Sequence, residues 1–145
     1  MKREDKVISH ELAKQIQEDH FRIGIKAPES EYWWWDGTGE AYELIRYDSL
    51  EYCDRKESKI HGYPAYDVAE LGQMLPDRIE EDKKVYHLIQ RVPERTWFID
   101  YYYDPYGEMP ECLSDGADER PMASDIEAES RGYKYLWLLK EGYIK

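Results

Sequence analysis

Histidine spacing is the first feature that could carry chemistry, because two imidazoles four residues apart on a helix can share one metal ion. In His10-Glu11-Leu12-Ala13-Lys14, a lysine stands where the second histidine of a zinc-protease motif would be. The other histidines, His20, His61 and His87, show no ligand spacing with one another. We therefore expect structural or surface histidines, no metal site and no cofactor.

Nucleophilic and phosphate chemistry also lack a local motif. No glycine-rich loop is followed by the Lys and Ser or Thr of a P-loop, and no Gly-x-Ser-x-Gly elbow occurs. Cys53 and Cys112 are far apart in sequence, so we expect two reduced thiols rather than a disulfide framework. We expect a protein that is not an enzyme. The alternative that stays open is a site assembled in space from carboxylates and His61 or His87.

Two runs of aromatic residues are the most distinctive feature. They are Trp33, Trp34, Trp35, Tyr101, Tyr102 and Tyr103. Successive residues of a strand point to opposite faces of a sheet, so one face of each run must look away from the main core. One interpretation is that helices or a second subunit cover those rings. The other is an aromatic surface that stacks a base or anchors a protein partner.

The charge of the chain limits its partners. With 32 acidic and 20 basic residues, the net charge is −12, which opposes binding to a phosphate backbone. We therefore expect no direct contact with nucleic acid. Solubility explains such a charge, and so does docking on a basic protein. If the ligand is a small nucleotide instead, Arg46, Arg91 and Arg95 are the residues expected to meet its phosphates.

We expect neither a targeting signal nor a membrane span in this sequence. Charged side chains dominate residues 1–6, and no apolar segment follows them, so we expect no secretory signal. The longest apolar runs, residues 32–35 and 135–139, are far shorter than the roughly 20 residues of a membrane span. We therefore expect a cytoplasmic protein without membrane contact.

Three helices are predicted from side chains that cap a first turn and from residues that end a helix. The capping residues are Ser9, Asp67 with Glu70, and Ser124 with Glu127. The helices are expected to end at Gly24, Pro76 and Gly142.

Two β-hairpins are predicted between the helices. Residues 32–35 and 41–47 flank a tight turn, and residues 85–92 and 95–103 flank a break at Pro93 and Glu94. The connections include a solvated segment at 48–62 and an acidic loop at about 104–123.

The predicted order is α-β-β-α-β-β-α, in a single compact domain that covers residues 1–145. Hairpins that alternate with helices indicate an α+β fold, with a mainly antiparallel sheet of two hairpins and about three helices packed on it. Rings left uncovered on the sheet would also favour a symmetric homodimer.

Three segments resemble a family of small uncharacterised proteins of tailed bacteriophages and prophages. They are residues 8–14 (ISHELAK), 63–76 (YPAYDVAELGQMLP) and 135–144 (YLWLLKEGYI). The resemblance implies a phage or prophage origin and a location in the host cytoplasm, but it transfers no activity and no site residue. The last helix departs from the alanine-rich form of that family at residues 129–132, where a glycine is predicted to let the helix fray or bend.

These observations favour a non-enzymatic phage accessory protein that binds a host protein through an acidic, aromatic surface, with a defence component as the expected target. The first alternative is a protein that sequesters a small nucleotide signal with its Trp and Tyr clusters. The second is a structural or regulatory phage protein with no discrete ligand.

Overall fold

The structure is a computed structural model that describes residues 6–35, 43–46, 62–92, 95–104, 106–108, 111–113, 123–124 and 126–144. Within these ranges, three helices accompany two antiparallel sheets, which confirms the predicted α+β class. The helices are α1 (His10–Ile23), α2 (Val68–Met74) and α3 (Glu127–Glu141).

The strands form two separate sheets. The first contains β1 (Tyr32–Trp35), β2 (Glu43–Arg46) and β3 (Gly62–Pro64), in the order β2-β1-β3. The second contains β4 (Arg78–Glu81), β5 (Lys84–Arg91), β6 (Trp97–Tyr103), β7 (Glu111–Cys112) and β8 (Ala123–Ser124). Its order is β4-β5-β6-β7, and β8 also pairs with β6. Both predicted hairpins are present, as β1–β2 and β5–β6, but they lie in different sheets.

The first two helices begin at the predicted caps. The Ser9 hydroxyl accepts a hydrogen bond from the Leu12 backbone N–H, and Gly24 ends α1 in the left-handed conformation with a φ of 83°. Asp67 and Glu70 form the predicted capping box of α2. Local side-chain chemistry is therefore sufficient to define both helix starts.

The predicted start of α3 is wrong. Its N-cap is Ile126, which offers no side-chain cap, while Ser124 belongs to β8, where it pairs with Trp97 of β6. Strand pairing has therefore placed Ser124 too early to cap the helix. The predicted end is confirmed, because Gly142 is left-handed with a φ of 82°, and the ring of Tyr143 folds back to stack on Trp137 at 5.6 Å.

At the residues where α3 was predicted to fray or bend, the helix is continuous, and Gly132 lies at a close helix contact. A Cβ placed on Gly132 would lie 2.6 Å from Cγ2 of Ile8 and 2.7 Å from Cδ2 of Leu12. Both of these side chains belong to the core, which α1, α2 and α3 share with residues of the second sheet such as Tyr86 and Tyr101. Glycine therefore allows α3 to pack tightly against the start of α1.

Several short strands were not predicted. The charged strand β4 pairs with β5 across a turn at Asp82 and Lys83, which both have positive φ. Strands β7 and β8 lie within or at the end of the predicted acidic loop. Residues 105, 109–110 and 114–122 of that loop, the predicted turn at 36–39 and the predicted connection at 48–61 lie outside the described residues.

Candidate functional site

The tryptophan run does not form an open surface. Trp33 is buried, with 7% of its surface exposed. Trp34 donates a hydrogen bond from Nε1 to the Ile8 carbonyl oxygen at 2.8 Å and packs against the core, while Trp35 is partly buried. The rings of Trp33 and Trp34 lie on opposite faces of β1, and the protein itself covers much of both.

The tyrosine run shows the same alternation but leaves one ring open. Tyr101 is fully buried, and its hydroxyl donates to the Pro76 carbonyl oxygen. Burial raises the pKa of Tyr101. Tyr102 is partly buried, whereas Tyr103 is 41% exposed. Of the predicted aromatic site residues, Tyr103 therefore offers the clearest contact surface.

The predicted arginines do not converge on these rings. Arg46 lies in the first sheet and pairs with Glu31 at 3.2 Å. Arg91 pairs in register with Phe98 of β6, and the structure does not describe its side chain. Arg95 is exposed just before β6, at the opposite end of that strand from Tyr103. The residues of the predicted site therefore lie in separate parts of the structure.

A different cluster forms around Tyr103, and we call it the acidic tyrosine face. Its members are Glu81, Tyr86, Tyr103, Glu111, Glu141 and Tyr143. Strand pairing brings β4, β5, β6 and β7 side by side, and the end of α3 adds the last two residues. A groove of about 580 Å³ runs along one side of the face, between β4 and the end of α3.

Contacts fix the side chains on the β7 side of this face. The rings of Tyr86 and Tyr103 are 6.1 Å apart, and the Tyr86 hydroxyl donates to Glu111 at 3.4 Å. Lys84 Nζ pairs with Glu111 at 2.8 Å and lies 5.3 Å from the centroid of the Tyr103 ring. The hydrogen bond to Lys84 lowers the pKa of Glu111, so this carboxylate stays charged at neutral pH.

Carboxylates dominate the α3 side of the face. Tyr143 lies near the carboxylates of Glu81 and Glu141. Burial, together with these negative neighbours, raises the pKa of Tyr143 to about 12. Glu81 and Glu141 are exposed and line the groove with Tyr143. The face therefore presents phenol rings beside negative charge.

Sequence reasoning missed most of this face. Tyr103 belonged to the predicted site, and Glu111 lies inside the predicted acidic loop, but Glu81, Tyr86, Glu141 and Tyr143 were not predicted as site residues. These residues come from distant parts of the chain. They meet because β4, β5, β6 and β7 pair side by side and because the last helix ends next to them.

A second polar cluster lies inside the protein. Lys134 of α3 is fully buried and pairs with the Asp100 carboxylate, which also accepts from the Cys112 thiol at 2.8 Å. Lys134 Nζ also lies 4.2 Å from the centroid of the Trp137 ring. Because its ammonium group is enclosed, this cluster acts in packing rather than as an open site.

Among the described residues, no set of three or more His, Cys, Asp or Glu side chains could hold a metal ion. In the same part of the chain, no helix is both long and apolar enough to cross a bilayer. No protein-family model, no curated protein and no solved structure matches this chain.

Proposed function

We propose that this protein is a non-enzymatic phage or prophage accessory protein that binds a basic host protein through its acidic tyrosine face. The proposed place of action is the host cytoplasm, and the proposed target is a component of host defence. The phage origin rests on the sequence resemblance of residues 8–14, 63–76 and 135–144.

The observation that carries this proposal is the convergence of an exposed ring with exposed carboxylates. Tyr103 supplies aromatic area that is open to solvent, and Glu81 and Glu141 border the adjoining groove. Tyrosines are enriched among residues that dominate binding energy at protein interfaces, because they add large area with little loss of conformational freedom. The face therefore combines an exposed aromatic ring, which can pack against a partner, with carboxylates that can attract basic side chains.

The charge favours a basic protein as the partner. A surface rich in carboxylates attracts lysine and arginine side chains, and the net charge of −12 speeds their approach over a longer range. The same charge repels phosphate backbones. Because salt screens these attractions, binding is expected to weaken as ionic strength rises.

The test compares two triple variants with equal net charge. The face variant carries E81Q, E111Q and E141Q, and the control variant carries E11Q, E18Q and E43Q at exposed carboxylates elsewhere. Wild type and both variants are used to capture proteins from lysates of bacteria that carry defence systems. The affinity of each captured partner is then measured by calorimetry with the purified pair.

We expect the face variant to bind its partner at least about tenfold more weakly than wild type, and the control variant to bind nearly as wild type does. Y103S should also weaken binding, because it removes the exposed ring. Equal affinities for the two triple variants would contradict the proposed surface. A partner that is captured but whose removal leaves phage defence unchanged would contradict the proposed target.

A further inference from the structure

The strand β4 is an edge of the second sheet, and this edge lies beside the groove of the acidic tyrosine face. Among the strands that the structure describes, β4 pairs only with β5. The groove is lined by all of β4 (Arg78–Glu81) and by residues 141–143 at the end of α3. One side of β4 therefore borders space that a further strand can enter.

The register of β4 on β5 shows which backbone groups point toward the open side. In an antiparallel pair, successive residues direct their N–H and C=O groups alternately toward the partner strand and away from it. The Leu88 backbone N–H donates to the Asp77 carbonyl oxygen at 3.0 Å, so Asp77 faces β5. By alternation, the N–H and C=O groups of Arg78 and Glu80 point away from β5. Both residues are exposed, so these groups can pair with a further strand.

The side chains next to this edge define what the added strand would meet. Tyr143 lies near Glu81 and Tyr86, and Tyr86 pairs with Ile79, so these side chains share one face of the sheet. Glu141 lines the groove on the same side. A segment beside β4 would place every second side chain against this face, where two carboxylates and a phenol ring favour lysine or arginine.

Charge selects the occupant of the edge. Charged side chains on edge strands hinder pairing between copies of the same protein. Here the carboxylates Glu80, Glu81 and Glu141 outnumber the one cation that lines the groove, Arg78. A second copy of this chain carries the same net charge of −12, so its approach is opposed, whereas a basic segment is attracted.

We propose that β4 pairs with an extended basic segment of the partner, which adds to the second sheet as an antiparallel strand with lysine or arginine at every second position. This inference rests on the proposed function and names the part of the partner that the acidic tyrosine face binds. Backbone hydrogen bonds to Arg78 and Glu80 supply affinity, and the alternating side chains supply specificity. The antiparallel direction continues the pattern of the sheet and is slightly more stable per residue than the parallel one.

The first experiment measures peptide binding to the whole wild-type protein by calorimetry at low salt. The probe is a capped peptide of about eight residues, a common strand length, in which lysine and threonine alternate. Two derivatives carry methyl groups on backbone nitrogens, one at every threonine and the other at every lysine. In the proposed pairing, with lysines beside Glu81, the threonine N–H groups point toward β4 and the lysine backbone N–H groups point away. A fourth peptide has glutamate in place of lysine.

We expect the unmodified peptide to bind, and the lysine-methylated peptide to bind nearly as tightly. The threonine-methylated peptide should bind at least about tenfold more weakly, because its methyl groups replace the donors that face β4. The glutamate peptide should not bind. Equal affinities of the two methylated peptides, or the reverse order, would overturn the proposal. Failure of the unmodified peptide to bind would also overturn it.

A pair of protein variants separates this inference from the proposed function. E80P removes an N–H group that points away from β5, a change that edge strands tolerate, and E80T removes the same charge but keeps the N–H group. We expect E80P to bind both the peptide and the captured partner at least about tenfold more weakly than E80T does. Thermal unfolding of both variants checks that the sheet is intact.

The two proposals fail in different ways. If the triple face variant loses its partner but E80P and E80T bind that partner equally, the proposed function stands and strand addition is overturned. If the peptides behave as expected but the two triple variants bind the partner equally, the proposed function is overturned and the strand site on β4 remains.

Discussion

His20 has both ring nitrogens engaged in the interior. Nδ1 lies 3.0 Å from the Ile25 carbonyl oxygen, which can only accept, so this nitrogen carries the proton. Nε2 lies 2.8 Å from the Tyr135 hydroxyl and accepts from it in the neutral ring. Burial lowers the pKa of His20 below its ordinary value of 6.5. The folded protein therefore favours the neutral imidazole.

This state of His20 predicts how stability depends on pH. Below pH 6.5 the unfolded chain takes up a proton that the folded His20 resists, so the free energy of unfolding should fall as the pH falls. H20Q should reduce this loss between about pH 7 and about pH 5.5. Urea unfolding curves at several pH values measure how the free energy of unfolding of each protein changes with pH. Equal slopes for wild type and H20Q would contradict the assignment.

Wild type must be compared with H20Q because Glu129 makes the free energy of unfolding change with pH in the opposite direction. Burial raises the pKa of Glu129, so its contribution lowers stability as the pH rises from 4.5 through the raised value. The difference between wild type and H20Q removes this shared contribution. An NMR titration of the His20 ring gives an independent reading of its pKa.

Lys134 gives a second prediction at the residue scale. K134M places a flexible apolar side chain beside Trp137, but it leaves the Asp100 carboxylate without its buried cation. Removing one partner of a buried ion pair costs about 3 kcal/mol, and we expect K134M to lose about that much. The double variant K134M/D100N should recover a large part of the loss. Additive losses in urea unfolding would contradict the coupling.

At the scale of elements, the contact between α1 and α3 depends on Gly132. Alanine favours a helix by about 1 kcal/mol over glycine, but overpacking a core contact costs about 1–3 kcal/mol. Because a Cβ at this position would approach Ile8 and Leu12 too closely, we expect G132A to lose about 1 kcal/mol in thermal or urea unfolding.

Gly72 provides the matched control for this prediction. It also lies within a helix, α2, but a Cβ there would meet Nη1 of Arg131 at 2.8 Å, the far end of a flexible side chain that can move. G72A should therefore be neutral or stabilising by up to about 1 kcal/mol. If G132A were as stable as G72A, the helices would not be in the close contact described.

The elements that the sequence predicted are those with local signals. The caps of α1 and α2 and the β5–β6 hairpin depend on residues close in sequence, and all were predicted. The strand β4 was missed because edge strands carry charges and β4 buries only Ile79. Its turn was missed because Asp82 and Lys83 adopt positive φ values of 51° and 66° without the glycine that usually marks them.

The candidate sites were harder to predict than the fold. The alternation of Tyr101, Tyr102 and Tyr103 between faces followed from strand geometry. Strand geometry did not predict that Tyr103 is the exposed ring, because its exposure depends on where α3 and β7 lie.

At the scale of the whole molecule, α3 is a helix that packs against several other elements. It contacts α1, α2, β6 and β8, so one helix joins the other helices to the second sheet. The first sheet joins the same core through Trp34 and Tyr63 of adjacent strands.

The net charge of −12 predicts the response of the whole molecule to salt. An excess of like charge repels itself in the compact state, and salt screens that repulsion. Exposed ion pairs such as Arg46–Glu31 and Lys84–Glu111 are also screened, but pairs of this kind contribute only about 0–1 kcal/mol each. We therefore expect the urea midpoint of unfolding to rise between about 20 mM and about 500 mM sodium chloride. Urea is the suitable denaturant because it is uncharged, and a falling midpoint would show that attractive pairs outweigh the net repulsion.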